Sequence, residues 1–343
     1  MRRTPPLIAG GGPAGSAVAI ALAMAGERPV IHERQRETGD AICGGFLSWR
    51  TLASLERLGV AVPGHAVDHV RVFAGEMTAS APLPGGAIGV SRRVLDRLML
   101  LRAEAAGAGV ERGVTVKAWD GAPMFLATGK HELRGLMRPK AAGDPTLGLR
   151  LRLPPHPSLA RLIGGAIELH LFDRGYVGLV AQEDGSANLC LAVRKSRLAE
   201  ADGNPATLLR QIGNGPLGER LAQADWSQPI DAIASVPYGW RATTTQAGVW
   251  RLGDQAACIP SLAGEGMGIA VASGIAAADF WTRGMDAEPF QRAFARRTSR
   301  PVGIAKLLWQ AAENPRFAAL GVRSIGVMPS LAALAAKVTR IGD

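Results

Sequence analysis

The chain has 343 residues, a formal net charge of +10, 47% apolar residues and only 5% aromatics. That length bounds it to one large or two modest domains, and the apolar share suffices for a sizeable core. No apolar run reaches the roughly 18 residues of a membrane span, and no basic run is interleaved with aromatics, which argues against a nucleic-acid partner.

Only six of the 39 cationic residues are lysine, so the charge reads as compositional bias, with an anionic substrate left open. Cys43, Cys190 and Cys258 have no metal-ligand spacing, and the six scattered histidines form no H-x-x-x-H pair, so no metal site is expected. No secretory signal precedes the first strand, which gives a cytoplasmic expectation.

The first element is a short apolar strand, residues 6–9, that runs straight into Gly10-x-Gly12-x-x-Gly15. A helix of small residues follows at 16–25, and residues 28–33 read as a second strand ending in an acid. A glycine triplet alone says little in a chain with 43 glycines. Strand, glycine turn, helix, strand and acid in that order are the layout of a dinucleotide-binding unit. Gly10 serves the tight turn, Gly12 the approach of a pyrophosphate, and Gly15 the close packing of helix on sheet. The helix N-terminus offers unpaired N–H groups and partial positive charge to phosphates, with Pro13 and Ala14 of the turn as further cofactor-binding candidates. Glu33 lies 18 residues after Gly15, placed to accept hydrogen bonds from a ribose, with Arg34 next to it.

A polar loop at 34–40 then leads to an apolar patch, 41–47, that contains Cys43-Gly44-Gly45. Residues 48–58 have helical spacing, and 67–90 alternate like two strands about a turn at Ala74-Gly75-Glu76. Ser91 caps the next helix, 91–106. Residues 110–116 and 124–127 read as strands, the second running into Thr128-Gly129. From about 134 to 240 the rhythm changes. Alternating runs at 147–153, 166–172, 176–182 and 187–193 read as an antiparallel sheet inserted into an α/β frame. Residues 198–221 look helical, 249–254 resemble a strand returning to the first domain, and 264–280 form a helix of small residues. The tail, 284–343, is mainly helical, with amphipathic stretches at 302–312 and 331–338.

Four motifs now stand in order. They are Gly10-x-Gly12-x-x-Gly15 with Glu33; Arg92-x-x-Leu95-Asp96 at the start of a helix; Leu126-Ala127-Thr128-Gly129; and Gly253-Asp254 through Pro260, continued by Gly264-Glu265-Gly266-Met267-Gly268. Together they resemble the para-hydroxybenzoate-hydroxylase-like class of FAD-dependent oxidoreductases, over most of residues 5–283. Cys43-Gly44-Gly45 and Gly175-Tyr176-Val177-Gly178 look more like its geranylgeranyl-reductase branch. The resemblance implies an α/β fold: a Rossmann-like FAD-binding domain (parallel sheet with helices), an inserted antiparallel-sheet substrate domain and a helical C-terminal tail. The FAD-binding domain would comprise 1–133 and 241–283, with 65–90 contributing to the substrate sheet. The substrate domain would be 134–240 and the helical segment 284–343.

The same resemblance implies roles. Asp254 would bind a ribityl or pyrophosphate-adjacent hydroxyl, with Gly253 leaving room for the cofactor. Gly264, Gly266, Met267 and Gly268 would open a helix aimed at the flavin ring, stabilising its reduced, negative form by ~0.3–2 kcal/mol. Arg92 would reach the phosphate or adenosine side, a role neighbouring Arg93 could exchange with it, and Ala127-Thr128-Gly129 would bring backbone close to the adenosine. Gly44 and Gly45 would mark close backbone approach beside the isoalloxazine, near Pro260. Cys43 has two readings, a thiol that contacts or protonates at the flavin and a small buried hydrophobe. Between 115 and 129 the chain is shorter than the family pattern, and the Trp-x-Trp-x-Ile-Pro motif of flavin halogenases is absent.

Two enzymatic functions follow from the resemblance. One is monooxygenation, with oxygen activated by reduced FAD as a hydroperoxide and inserted into an apolar or aromatic small molecule. The other is reduction of a carbon–carbon double bond in a lipid- or isoprenoid-like substrate. A flavin-binding protein without catalysis is the third reading. Tyr176, Tyr238 and Trp240 are substrate-pocket candidates, as aromatics near turns at the domain junction. Leu169, Leu171, Val177 and Leu179 suit either a pocket wall or core. No second nucleotide fingerprint is present, so NADPH or NADH would bind transiently, or a separate reductase would serve. The amphipathic basic tail has two readings, a cap over the sheet and a peripheral membrane contact.

Overall fold

The computed structural model describes residues 6–139, 143–234 and 236–342. In chain order the first elements are β1 (Leu7–Ala9), α1 (Pro13–Met24), β2 (Val30–Glu33), β3 (Phe46–Leu47), α2 (Trp49–Arg57), β4 (His65–Ala74), β5 (Met77–Gly89), α3 (Arg92–Ala106), β6 (Gly109–Arg112) and β7 (Met124–Leu126). Then come β8 (Thr146–Leu153), α4 (Pro157–Ile163), β9 (Ala166–Phe172), β10 (Gly175–Ala181), β11 (Ala187–Arg194), α5 (Lys195–Ala199), α6 (Pro205–Ile212), α7 (Gly215–Leu221), β12 (Asp231–Ile233) and β13 (Val249–Arg251). The last helices are α8 (Gly266–Thr282), α9 (Ala287–Ala312), α10 (Pro315–Val327) and α11 (Ser330–Val338).

Strands β13, β7, β1, β2 and β6, in that order, make an all-parallel sheet. Four of its five strands come from residues 7–126 and the fifth from residues 249–251, so the sheet closes only when the chain returns after the insertion. The small residues of α1 let α8 press against it: a Cβ on Gly274 would sit 2.7 Å from Ala14 O. Ile8, Ile31, Phe125 and Trp250 fill the space beneath, with Phe125 and Trp281 ring centroids 5.4 Å apart. A parallel sheet is buried on both faces at its centre, which is why β1 and β7 are wholly apolar while the edge strand β6, Gly-Val-Glu-Arg, is partly exposed.

The second sheet runs β12, β8, β11, β10, β9, β4, β5, β3. The expectation of an antiparallel sheet needs one correction: β4 and β9 pair in parallel, while every other pair is antiparallel. The seam joins two chain segments that no hairpin connects, so no turn dictates their relative direction. Alternation along the strands divides the sheet into two faces. Val177 and Leu179 belong to one, buried with Leu149, Leu151 and Leu191 under the helices α4 to α7. Leu169 and Leu171 lie on the other, with Tyr176, Ala192, Leu262 and Trp309. The four residues read as one group from sequence therefore split between core and site.

The stretch 198–221 is not one helix but parts of three. Asp202 and Gly203 both take positive φ, Asn204 then caps α6 through the Ala206 and Thr207 N–H groups, and Pro205 and Pro216 fix new first turns. The tail covers the site-side face of the second sheet: Ala318 and Val322 of α10 pack against Val72, Ala79, Leu169 and Leu171.

Candidate functional site

The parallel sheet turns about β1: the chain goes from β1 through α1 to β2 on one side, while β7 lies on the other. Such a switch point leaves a crevice outside the carboxyl ends of the strands, where ligands bind. The glycine turn stands over it. Gly10 has φ +106, and a Cβ there would lie 2.6 Å from Ala127 O on the neighbouring strand. A Cβ on Gly15 would meet Gly10 O at 1.9 Å, so the helix could not approach the turn. Gly12 is different, since an added Cβ would meet only Arg92 Nη2, at 3.4 Å. No side chain caps α1, no acid occupies its first turn, and Pro13 sits at its start. The donors of that first turn therefore face outward beside an open position, as an anion site requires.

Glu33 closes the second strand. Its Oε2 accepts from the Gly11 N–H at 2.7 Å and its Oε1 from the Gln35 N–H at 2.8 Å, which pins the carboxylate at the rim of the glycine turn. Arg34 reaches across to His131, Nη2 to Nε2 2.7 Å. His131 belongs to the turn after β7, where Thr128 Oγ1 donates to His131 O at 2.7 Å and Gly129 has φ +60. Gln255 Nε2 donates to the Gly129 and His131 carbonyls at 3.0 and 2.9 Å, which locks this turn to the 253–255 turn after β13. Glu33, Arg34, Ala127-Thr128-Gly129 and Gly253-Asp254 are thus gathered at one edge of the sheet from three separate parts of the chain.

Gly253 has φ +56, donates its N–H to Ser273 Oγ at 2.8 Å, and packs on α1, where an added Cβ would lie 3.1 Å from Ala14 Cβ. Asp254 accepts from Arg138 Nη1 through its carbonyl, 3.0 Å, and no described side chain takes up its carboxylate. Pro260 leads into a turn at Ser261–Ala263, and Gly264 follows in the left-handed region with φ +63. An added Cβ on Gly264 would touch the Phe46 ring at 3.0 Å, whereas one on Gly266 would meet nothing within 4 Å. Glu265 was not singled out from sequence. It is buried at the head of α8, accepts from Ser48 Oγ and the Ile341 N–H, both at 3.2 Å, and pairs with Arg340 at 3.2 Å. Burial pushes its carboxyl up against the pull of Arg340.

Arg92 is held from within its own helix. Both its Nε and Nη2 are held by the Asp96 carboxylate, at 2.8 and 2.7 Å, one helical turn away. Burial raises Asp96 and Arg92 opposes that rise. The guanidinium also lies beside the glycine turn, 3.4 Å from where a Gly12 Cβ would stand, and close enough to the Cys43 thiol to interact with it. Arg93 takes no part in this contact; its N–H goes to Asp40 at 3.2 Å. The Cys43 loop is fastened to the second sheet, with its carbonyl accepting from Asn188 Nδ2 at 2.7 Å and from the Cys190 thiol at 2.8 Å. Gly45, φ +72, presses on Val90 O, while Gly44 has open space where a side chain would be.

On the substrate side, Ser261 Oγ joins the Tyr176 and Tyr238 hydroxyls, the latter at 2.5 Å. Trp309 of α9 lies edge-on to Tyr238, centroids 5.3 Å apart, and its buried Nε1 has no hydrogen-bond partner among the described residues. Tyr238, Trp240 and Trp309 border a cavity of about 320 Å³, and Trp240 also walls a neighbouring one of about 350 Å³ with Arg241 and Arg251. Tyr176 faces the sheet side of this cluster instead. Ser261 and Trp309 carry no local sequence signal: a serine after a proline and a tryptophan on an amphipathic helix become site residues only through packing.

This geometry suits an extended dinucleotide. An added Cβ would find open space at Gly44 and Gly266 and only a flexible arginine at Gly12, the α1 N-terminus is uncapped, and Asp254 has a spare carboxylate. The comparisons agree. Residues 3–145 match the family described as FAD binding domain. No curated protein sequence matches the chain. The structure of Pseudomonas aeruginosa PqsL in complex with 2-aminobenzoylacetate is similar over 93% of this chain and 99% of that one, with TM-score 0.75 and 18% identity. A geranylgeranyl bacteriochlorophyll reductase-like protein from Thermoplasma acidophilum is similar over 98% and 93%, with TM-score 0.73 and 18% identity. The flavin-dependent brominase Bmp2 is similar over 97% and 92%, with TM-score 0.76 and 15% identity. Residues 3–145 thus match an FAD-binding domain, and the chain as a whole shares its fold with these flavin-dependent proteins, the α/β fold that its motifs' resemblance implied.

Proposed function

We propose that the protein is an FAD-dependent monooxygenase that hydroxylates or epoxidises an apolar or aromatic small molecule. The observation that carries this reading is the row of neutral hydroxyls of Tyr176, Ser261 and Tyr238 set beside the apolar Leu169, Leu262 and Trp309. Burial pushes the Tyr176 and Tyr238 phenols up, the Cys190 thiol up to about 12, and Cys258 higher still. Such buried, protonated groups suit orienting a substrate by hydrogen bonds, and this reading leaves the reactive chemistry to the cofactor.

FAD, when bound, supplies electron transfer and, once reduced, reaction with molecular oxygen. The residues of this chain do the rest. The first turn of α1 holds the pyrophosphate, Glu33 takes a ribose hydroxyl, and Asp254 accepts from the ribityl chain. The N-terminus of α8, opened by Gly266, Met267 and Gly268, sets positive potential toward the ring. Tyr176, Ser261 and Tyr238 present a hydroxyl chain that orients a polar group of the substrate, while Leu169, Leu262 and Trp309 exclude water. The small-molecule complex of PqsL, a protein of the same fold, supports a small-molecule substrate.

Double-bond reduction is the second reading, favoured by the placement of the Cys43 thiol next to Arg92 on a loop tied to β11. Electrons would come from NADPH or NADH bound transiently, or from a separate reductase. The deciding experiment reduces the reconstituted flavin anaerobically with NADPH and with NADH, then admits oxygen, with and without apolar aromatic and isoprenoid candidates. The monooxygenase reading expects oxygen uptake in step with product. Product formed under strict anaerobiosis overturns it.

A further inference from the structure

The described residues hold no single helix long and apolar enough to cross a membrane, yet the outer surface of the tail is apolar. On α10, Phe317, Leu320 and Val327 are 60%, 61% and 87% exposed. Their spacing of three and seven residues puts them on one stripe, opposite the buried Ala318 and Val322. Met328 at the bend, and Leu331 and Leu334 of α11, continue the exposed apolar surface. The two helices meet at a bend of 114°, so together they form a low, angular ridge rather than a rod.

Charge follows the same ridge. Arg316 and Arg323 each stand four residues before an exposed apolar residue, Leu320 and Val327, and so share its face. Lys337 closes α11. None of the three is ion-paired among the described residues, and residues 314–342 contain no Asp or Glu. An exposed apolar stripe flanked by unpaired cations is the pattern of a helix lying in a membrane interface, with acyl chains meeting the leucines and anionic headgroups meeting the arginines. A second copy of this chain is a poor occupant, because a twofold contact would set Arg316 and Arg323 against their own equivalents.

We propose that α10 and α11 dock flat on an anionic lipid bilayer. The inner side of α10 packs on Leu169 and Leu171, which also border Tyr176 and Trp309, so the docked helix is one wall of the substrate side. A lipid-dissolved substrate would then meet the protein at the surface from which it enters. The docking stands independently of the monooxygenase reading, since its test reads binding alone.

The FAD-reconstituted protein is spun with vesicles of phosphatidylcholine alone and of phosphatidylcholine with phosphatidylglycerol. Binding to the anionic vesicles, weak binding to the neutral ones, and release on raising salt from about 0.1 M are expected. Arg316→Gln with Arg323→Gln should weaken binding roughly thirtyfold, about fivefold per charge. Phe317→Ser with Leu320→Ser should weaken it at least about tenfold, with flavin affinity and melting temperature unchanged. Two results overturn the proposal: no sedimentation with either vesicle, or a dimer that Leu320→Ser abolishes in a protein that ignores vesicles.

Discussion

Gly12→Ala separates the role of the glycine turn in binding from its role in folding. Gly12 has φ −71 and ψ −173, a conformation alanine adopts freely, and the new Cβ would meet only the end of a flexible arginine at 3.4 Å. Replacing glycine by alanine at such a position reduces the freedom of the unfolded chain, so the apoprotein should gain about 0.4–1 kcal/mol. FAD binding should move the other way. The methyl group fills the space through which the pyrophosphate approaches the α1 N-terminus, and losing one hydrogen bond to a charged group costs about 1.5–3 kcal/mol. At about 1.4 kcal/mol per tenfold, the dissociation constant should rise roughly 10- to 150-fold. Flavin fluorescence quenching on titration into apoprotein gives the affinity, and urea denaturation of the apoprotein gives the stability. Unchanged affinity would refute the assignment of this turn to the pyrophosphate. Gly15→Ala is the contrast: its Cβ would lie 1.9 Å from Gly10 O, so both stability and affinity should fall.

Other consequences are equally concrete. Glu168 is fully buried, and hydrogen bonds from His170 and Arg220 outweigh burial to bring its carboxyl down to about 2. A depressed carboxyl stabilises above its unfolded pKa and loses that contribution as pH falls, here between about 4.5 and 2, by up to about 3 kcal/mol. Glu168→Gln should remove this acid slope in urea titrations; at pH 7 it should also cost about 3–5 kcal/mol, because Arg220 and Arg71 lose their buried anion. Glu265→Gln should uncouple the tail from α8 by leaving Arg340 buried against a neutral amide. Amides of α11 should then exchange faster than those of α1, and equal exchange would show that the pair does not anchor the tail. Ser261→Ala should cost about 1–3 kcal/mol by stranding the Tyr176 hydroxyl, and Tyr176→Phe in that background should recover part of it in thermal melts.

What the sequence determined was local. Gly10 and Gly15 declare their turn because a positive φ at the one and a backbone clash at the other leave only glycine there, and Glu33 declares the strand end by its fixed distance from the turn. The alternation of β8 to β11 was readable because side chains on a strand point alternately to two faces. Which face was which was not readable: Leu169 and Val177 look alike in sequence, yet one borders the site and the other the core. The parallel β4–β9 seam was hidden for a similar reason, since no connecting turn encodes the direction of strands far apart in the chain. The clamp of Asp96 on Arg92, the anchoring of Cys43 by Asn188 and Cys190, and the burial of Glu265 with Arg340 all join residues from distant segments. Spacing along a chain fixes backbone conformation and helix or strand faces. Only the packing of two sheets and a returning tail decides which side chains from Ser48 to Arg340 come to share one cleft.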